Sequence, residues 1–130
     1  MSAPLIAGIV ALLREYYASE HQISNPSAAL LKATLITGAV DTGYGAPSNQ
    51  LGWGRVNLSQ ALPLPRTIFF ADETAGLTTG QEKTYLLDVG IDLPFKASLV
   101  WSDKDANIQA QITLVNDLNL IVKDSQGTLY

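Results

Sequence analysis

The side chains that could transfer protons or attack a carbonyl group are few in this sequence. It contains one histidine, His21, in the polar segment Ser19-Glu20-His21-Gln22 that follows the first predicted helix. A histidine at such a place is more often a surface residue than a general base, and we interpret it so. Cysteine is absent, which excludes disulfide bonds and thiolate metal sites but does not distinguish the cytosol from the exterior.

Two acidic segments could offer oxygen ligands to a hard cation. Asp103, Asp105 and Asn107 alternate in one of them, and Asp117 and Asn119 lie in the other. Calcium prefers such carboxylate and amide oxygens. Segments of Asp and Asn form turns more often than metal sites, so both interpretations stay open.

Two tryptophans could form a flat surface for a peptide or a glycan, but the sequence favours core packing for both. Glycines on either side of Trp53 let the backbone fold closely around a large ring, and Trp101 alternates with Leu99 as on one buried face of a strand. Arg55 is a candidate for holding the adjacent loop through carbonyl or carboxylate contacts.

Composition narrows the class of protein. The 130 residues are 47% hydrophobic and 15% charged with a net charge of −4, which indicates a globular chain without a basic patch for nucleic acid or an anionic membrane. No apolar run reaches the roughly 18 residues of a membrane span. The apolar start lacks a preceding basic region, so it does not predict a signal peptide.

The first half has helical periodicity. The apolar positions of the first predicted helix are Leu5, Ile9, Leu12, Leu13 and Tyr16. Its opposite flank, with Ala7 and Gly8, is small enough for another backbone to come close. A second helix is predicted over 27–37, with Ser27 at its N-cap and Gly38 as its stop, and a short third helix over 58–62.

The composition and periodicity of the sequence change after the Pro-Leu-Pro segment at 63–65, which cannot continue a helix. Short runs rich in β-branched and aromatic residues follow at 67–71, 83–89, 97–101 and 118–123. Strands without intervening helices predict part of an antiparallel sandwich. Because the chain begins within a helical pattern and ends within a hairpin pattern, we expect a fragment; a small two-part protein is the alternative.

Met1, Ser2, Ala3 and Pro4, followed by a helix and about fifty residues later by Gly-Trp-Gly-Arg-Val-Asn, resemble the subtilisin-like serine peptidases. In that family the nucleophile lies in a Gly-Thr-Ser-Met-small-small-Pro motif at the start of a buried helix. The four residues match its second half, so the resemblance implies a catalytic serine immediately before Met1. The aspartate and histidine of the triad would lie further upstream, and we assign Ser2 no catalytic role.

Later segments of the chain extend this resemblance. The segments LLKATLITGAVD and GWGRVNLSQAL resemble later helices of the catalytic domain, and LVWSD, TLVNDLNLIV and GTLY resemble a β-sandwich appended in one branch of alkaline bacterial subtilases. The resemblance implies an α+β fragment: the helical C-terminal tail of an α/β catalytic domain at 1–62 and an incomplete, jelly-roll-like antiparallel β-sandwich at 63–130.

The resemblance also implies a function for the parent enzyme. It would be a secreted or extracellular serine endopeptidase that hydrolyses proteins or peptides through an acyl-enzyme, while this chain alone would be inactive. Calcium is possible in the parent, with Asp117 and Asn119 as an incomplete site, since an acidic residue is expected at Asn119. The expected partners are the rest of the catalytic domain and the substrate, and neither nucleic acid nor a membrane. A non-catalytic module that binds protein or glycan is the alternative, and a degenerate scaffolding relic is a third possibility.

Overall fold

The computed structural model describes residues 2–62, 68–90 and 95–130. Its regular elements in these ranges are the helices α1 (Ser2–Glu20), α2 (Ala28–Thr37) and α3 (Leu58–Ala61). None of these helices is long and apolar enough to cross a membrane. The three predicted helices are thus confirmed, with bounds that differ by a residue or so.

Helix α2 begins and ends where its caps predict. Ser27 adopts an extended conformation with φ −64° and ψ 155°, and its Oγ accepts a hydrogen bond from the backbone N–H of Leu30 at 3.0 Å. At the other end, the N–H of Gly38 donates to the carbonyl oxygen of Thr34 at 3.0 Å. These bonds satisfy backbone groups that the helix itself leaves unpaired, and the predicted N-cap and stop are confirmed.

The core lies between α1 and α2. Its buried members are Leu13, Tyr17, Leu30 and Leu31. The Thr34 hydroxyl donates to the carbonyl of Leu30 at 2.8 Å, so its single proton is committed, and the Tyr17 hydroxyl 2.8 Å away must donate to Thr34. Burial raises the pKa of Tyr17, because the phenolate would lose its hydration.

Helix α3 approaches the end of α2 at a glycine. A Cβ added at Gly38 would lie 2.4 Å from the Cα of Ala61, which is itself buried. Only a residue without a side chain permits this approach. Gly38 therefore sets the spacing between α2 and α3 as well as ending α2.

The predicted β-sandwich is wrong. Within the described ranges no residue belongs to a strand; isolated bridges join Val40 to Arg55, Ser48 to Gly52 and Lys123 to Leu129. The predicted strands at 83–89, 97–101 and 118–123 are irregular chain, and 67 of the first strand lies outside the described residues. The fold is therefore not an α+β fragment with a sandwich.

The physical reason is that alternating apolar and polar residues predict an extended segment but do not predict which strand pairs with it. A sheet needs a neighbouring strand about 4.8 Å away and a second layer to cover its apolar face. Here Leu86 is 95% exposed and Ile121 is 64% exposed, so within the described residues no second layer covers these positions of the predicted strands. The predicted boundary residues at 63–67 lie outside the described part, and the division into 1–62 and 63–130 stays a prediction.

Several contacts tie the second half to the helices. Asp72 Oδ2 accepts a hydrogen bond from the backbone N–H of Ser27 at 2.8 Å, at the start of α2. The Thr37 and Ser98 hydroxyls lie 2.9 Å apart, and Lys96 Nζ donates to the carbonyl of Ala39 at 3.3 Å. These segments are held to α2 by individual polar contacts, without a core of their own among the described residues.

Candidate functional site

The residues that resemble the nucleophile motif lie at the N-terminal end of α1. Ser2, Ala3 and Pro4 form its first turn and are exposed, while Met1 lies outside the described residues. The first backbone N–H groups of a helix have no partner within the helix and carry a partial positive charge. This end of α1 can therefore stabilise negative charge, but Ser2 has no described histidine as a hydrogen-bond partner.

The surface of α1 around this turn is apolar and uncovered. Leu5 is 66% exposed and Leu12 is 54% exposed, and nothing lies within 4 Å of a Cβ position at Gly8. The described part of the chain therefore does not supply the close backbone that the small-residue flank predicts.

His21 lies at the opposite end of α1, among aromatic rings. Its Nε2 is 3.0 Å from the Tyr16 hydroxyl, and its ring centroid is 5.0 Å from that of Tyr16 and 4.8 Å from that of Phe70. The side chain is exposed, as predicted. In the described ranges no serine hydroxyl or carboxylate forms a hydrogen bond with it, so the structure gives His21 the contacts of an aromatic cluster.

Asp103 holds a loop together. Its carboxylate accepts hydrogen bonds from the backbone N–H groups of Val115 and Asn116 and from the Asn116 side-chain amide, the last at 2.7 Å. The backbone N–H of Val115, followed by the bonds from Asn116, lowers the pKa of Asp103. This carboxylate is occupied by the chain itself, which favours the turn interpretation over the metal interpretation for this segment.

Asp117 and Asn119 are exposed. Calcium takes six to eight oxygen ligands, and within the described ranges no group of three His, Cys, Asp or Glu residues is placed to hold a metal ion. These two residues alone do not complete such a shell. Their role in a calcium site stays a prediction about a larger protein.

The loop between α2 and α3 is stabilised by a carboxylate that sequence reasoning missed. Asp41 accepts hydrogen bonds from the backbone N–H groups of Gly43, Tyr44 and Gly45 at 3.1 to 3.2 Å. The backbone N–H of Ala46, together with these groups, lowers the pKa of Asp41. The signal was available in the sequence, because an aspartate two residues before a glycine is typical of a side-chain-bonded turn.

Further along the same loop, Val40 and Arg55 exchange two backbone hydrogen bonds of 2.9 Å. A Cβ at Gly54, where φ is +106°, would lie 2.6 Å from the Val40 carbonyl oxygen. The backbone, and not the predicted Arg55 side chain, holds this loop, since the guanidinium makes no hydrogen bond within the described residues.

Trp53 is 58% exposed, so the prediction that it packs in the core is wrong. Its indole borders two shallow hollows of about 260 and 220 Å³. The larger hollow is lined by Pro47, Ser48 and Asn49 among others, and the smaller, more apolar one by Leu35 and Ile36 among others. Trp53 is the largest aromatic side chain that this loop presents to solvent.

Trp101, by contrast, is partly buried, but Leu99, with which it alternates, is exposed, so the predicted buried strand face is not confirmed. Its Nε1 is a buried donor without a hydrogen-bond partner among the described residues.

Comparison with known proteins matches these elements to a family. A sequence model described as the Subtilase family matches residues 1–54, which contain α1, α2 and most of the loop that follows. The chain is also 28% identical over 138 aligned residues to the "Serine protease/ABC transporter B family protein tagA" of Dictyostelium discoideum. That alignment covers 92% of this chain and 8% of the relative, so the chain spans less than a tenth of the relative's length. The first 54 residues are therefore similar to subtilases, and the similarity to the Dictyostelium protein extends over most of the chain.

Proposed function

We propose that this chain is the C-terminal part of the catalytic region of a subtilisin-like serine endopeptidase, with the segment that follows it. The match of residues 1–54 to the subtilase family carries the proposal, because it includes the motif residues Ser2 to Pro4. The attacking serine of the active enzyme is expected directly before Met1. The parent enzyme would hydrolyse peptide bonds, and this chain alone would not.

Helix α1 would supply the electrostatic support for that reaction. A serine immediately ahead of its first turn is next to backbone N–H groups that point out of the helix, where the oxyanion of a tetrahedral intermediate develops charge. The attacking hydroxyl would lose its proton to a histidine of the parent and form the acyl-enzyme, which water then hydrolyses. The residues of this chain would hold the helix: Leu13 and Tyr17 anchor α1 on α2.

The partners of this chain follow from the same proposal. The exposed apolar side chains of α1, Leu5 and Leu12, would pack against the rest of the catalytic domain. The substrate would be a protein or peptide, the parent would act outside the cell, and a calcium ion would stabilise it. The cleavage specificity would be set by strands outside this chain.

The gene around this chain provides the test. We expect an open reading frame that encodes Gly-Thr-Ser directly before Met1. A chain extended to include that segment and the upstream triad residues should cleave a peptide substrate, and changing the expected serine to alanine should abolish cleavage. A frame that encodes unrelated residues there would contradict the proposal, as would cleavage by the 130-residue chain alone.

The exposure of Trp53 favours a second candidate function, a module that binds a peptide or a glycan beside its indole. Its test is quenching or a blue shift of tryptophan fluorescence on titration with peptide and glycan libraries. A Trp53→Phe variant, which keeps Trp101 as an internal reference, should lose that response. An identical response in the variant would contradict this candidate.

A further inference from the structure

The start of α3 carries a triplet that the proposed function does not use. Asn57, Leu58 and Ser59 have the Asn-X-Ser spacing at which oligosaccharides are attached to asparagine in secreted proteins. The same spacing occurs at Asn25, where the middle residue is Pro26, and proline at that position blocks the transfer. Asn57 is thus the one asparagine of this sequence in an acceptor triplet.

The two ends of the Asn57 amide have different roles. Asn57 is the N-cap of α3 in an extended conformation, with φ −142° and ψ 105°, and its Oδ1 accepts a hydrogen bond from the backbone N–H of Gln60 at 3.3 Å. Attachment of a sugar to the nitrogen leaves this oxygen free to accept. The helix cap and an oligosaccharide can therefore coexist on one side chain.

The nitrogen of that amide reaches solvent. Nδ2 of Asn57 makes no hydrogen bond within the described residues, and the one buried side-chain nitrogen or oxygen without a partner in that part of the chain is Nε1 of Trp101. Ser59, whose hydroxyl completes the triplet, is exposed and likewise makes no side-chain hydrogen bond there. The inward side of α3 is occupied by Leu58 and Ala61.

We propose that Asn57 is an acceptor for an N-linked oligosaccharide, an inference that rests on the extracellular location in the proposed function. The donor is an oligosaccharide joined to a lipid through a diphosphate. Nδ2 forms a bond to the anomeric carbon of the first sugar, and the bond from that carbon to the diphosphate oxygen breaks. The lipid diphosphate leaves, and the amide proton goes to a carboxylate of the transferase.

The test is translation of the full chain, behind a cleavable secretory signal, in the presence of eukaryotic microsomes. Only the fraction protected from added protease is scored, so that every scored molecule has met the transferase. We expect one discrete upward step in mass that peptide N-glycosidase removes. The same enzyme should remove it from the folded, untreated protein, because the amide nitrogen faces solvent.

Matched variants assign the step to Asn57. Asn57→Asp keeps an oxygen that can cap α3 but offers no amide nitrogen, and Ser59→Ala removes the hydroxyl of the triplet; both should lose the step. Pro26→Ala removes the proline that blocks the triplet at Asn25. This variant serves as the positive control and should show one additional step in mass. An unmodified protected wild type beside a modified Pro26→Ala chain would overturn the proposal, as would a step that persists in Asn57→Asp. The assay measures no peptide hydrolysis, so its failure leaves the peptidase proposal unaffected.

Discussion

At the scale of single residues, three carboxylates of this chain bind backbone N–H groups of the chain itself. Asp41, Asp103 and Asp124 each accept hydrogen bonds from neighbouring backbone N–H groups, and in each case those bonds lower the pKa of the carboxyl. A carboxylate with several N–H donors favours its charged form. These residues stabilise turns, and Asp103, a candidate cation ligand in the sequence, has this role in the structure.

Asp41 should make its loop sensitive to pH. Because its pKa in the folded chain lies below that in the unfolded chain, the stabilisation is present above the unfolded value and is lost as the pH falls through the folded pKa. Asp41→Ala should therefore speed amide hydrogen exchange at Gly43 and Gly45, and wild type should lose this protection on acidification. Asp105→Ala is the control, since Asp105 makes no hydrogen bond within the described residues. Equal exchange in the two variants would contradict the assignment.

Tyr17 should stabilise the pair of α1 and α2 through its hydroxyl. Tyr17→Phe removes the donor to Thr34 but leaves Thr34 bonded to the Leu30 carbonyl, so we expect a loss of about 1 kcal/mol in the free energy of unfolding. Tyr16→Phe, which removes the exposed hydroxyl beside His21, is the matched control and should cost less. Urea unfolding followed by circular dichroism measures both variants, and a larger loss for Tyr16→Phe would refute the prediction.

At the scale of elements, sequence patterns among neighbouring residues predict the helices correctly, whereas patterns that require a distant partner do not predict the strands. Helices α1, α2 and α3 form where periodicity and caps predict them, since their hydrogen bonds join residues four apart. The predicted strands depend on partners elsewhere in the chain, and the described ranges contain no ladder to pair them. The connection between α2 and α3 likewise depends on contacts between distant residues, namely the approach of Gly38 to Ala61 and the backbone hydrogen bonds between Val40 and Arg55.

Gly38 and Gly8 should respond in opposite directions to alanine. A methyl group at Gly38 meets Ala61 at a sub-van der Waals distance, so Gly38→Ala should destabilise the chain by about 1 to 3 kcal/mol through overpacking. Gly8 lies inside α1 with open space around it, so Gly8→Ala should add helix stability of up to about 1 kcal/mol. Thermal unfolding monitored by circular dichroism measures the pair. A midpoint for Gly38→Ala equal to or above that of wild type would contradict the close packing of α3.

At the scale of the whole molecule, the chain buries too little of its own surface. It exposes 10765 Å², whereas a compact monomer of 13.9 kDa exposes about 6,700 Å². The exposed large apolar residues include Leu5 and Leu12 on α1 and Leu86 and Ile108 in the second half. Large exposed apolar patches mark places where another molecule or segment packs.

The isolated chain should therefore associate in solution. We expect its weight-average mass in sedimentation equilibrium to rise with concentration and the dye ANS to bind to it. The paired substitutions Leu5→Gln and Leu12→Gln, both at exposed positions of α1, should reduce both signals without loss of helix content. A monomer that unfolds cooperatively and binds no ANS would contradict this prediction. It would also contradict the proposal that the exposed apolar side chains of α1 pack against the rest of a catalytic domain.

The sequence by itself determined the three helices, the caps of α2 and a resemblance to subtilases that is confirmed over residues 1–54, because each depends on residues close together in the chain. It also placed His21 at the surface. Contacts between distant residues were decided only in the tertiary structure. They include the Gly38 approach to Ala61, the Asp72 bond to Ser27 and the exposure of Trp53. Alternating apolar residues indicate that one face of an extended segment is suited to burial, but they do not identify the segment that buries it. For this reason the predicted β-sandwich is wrong.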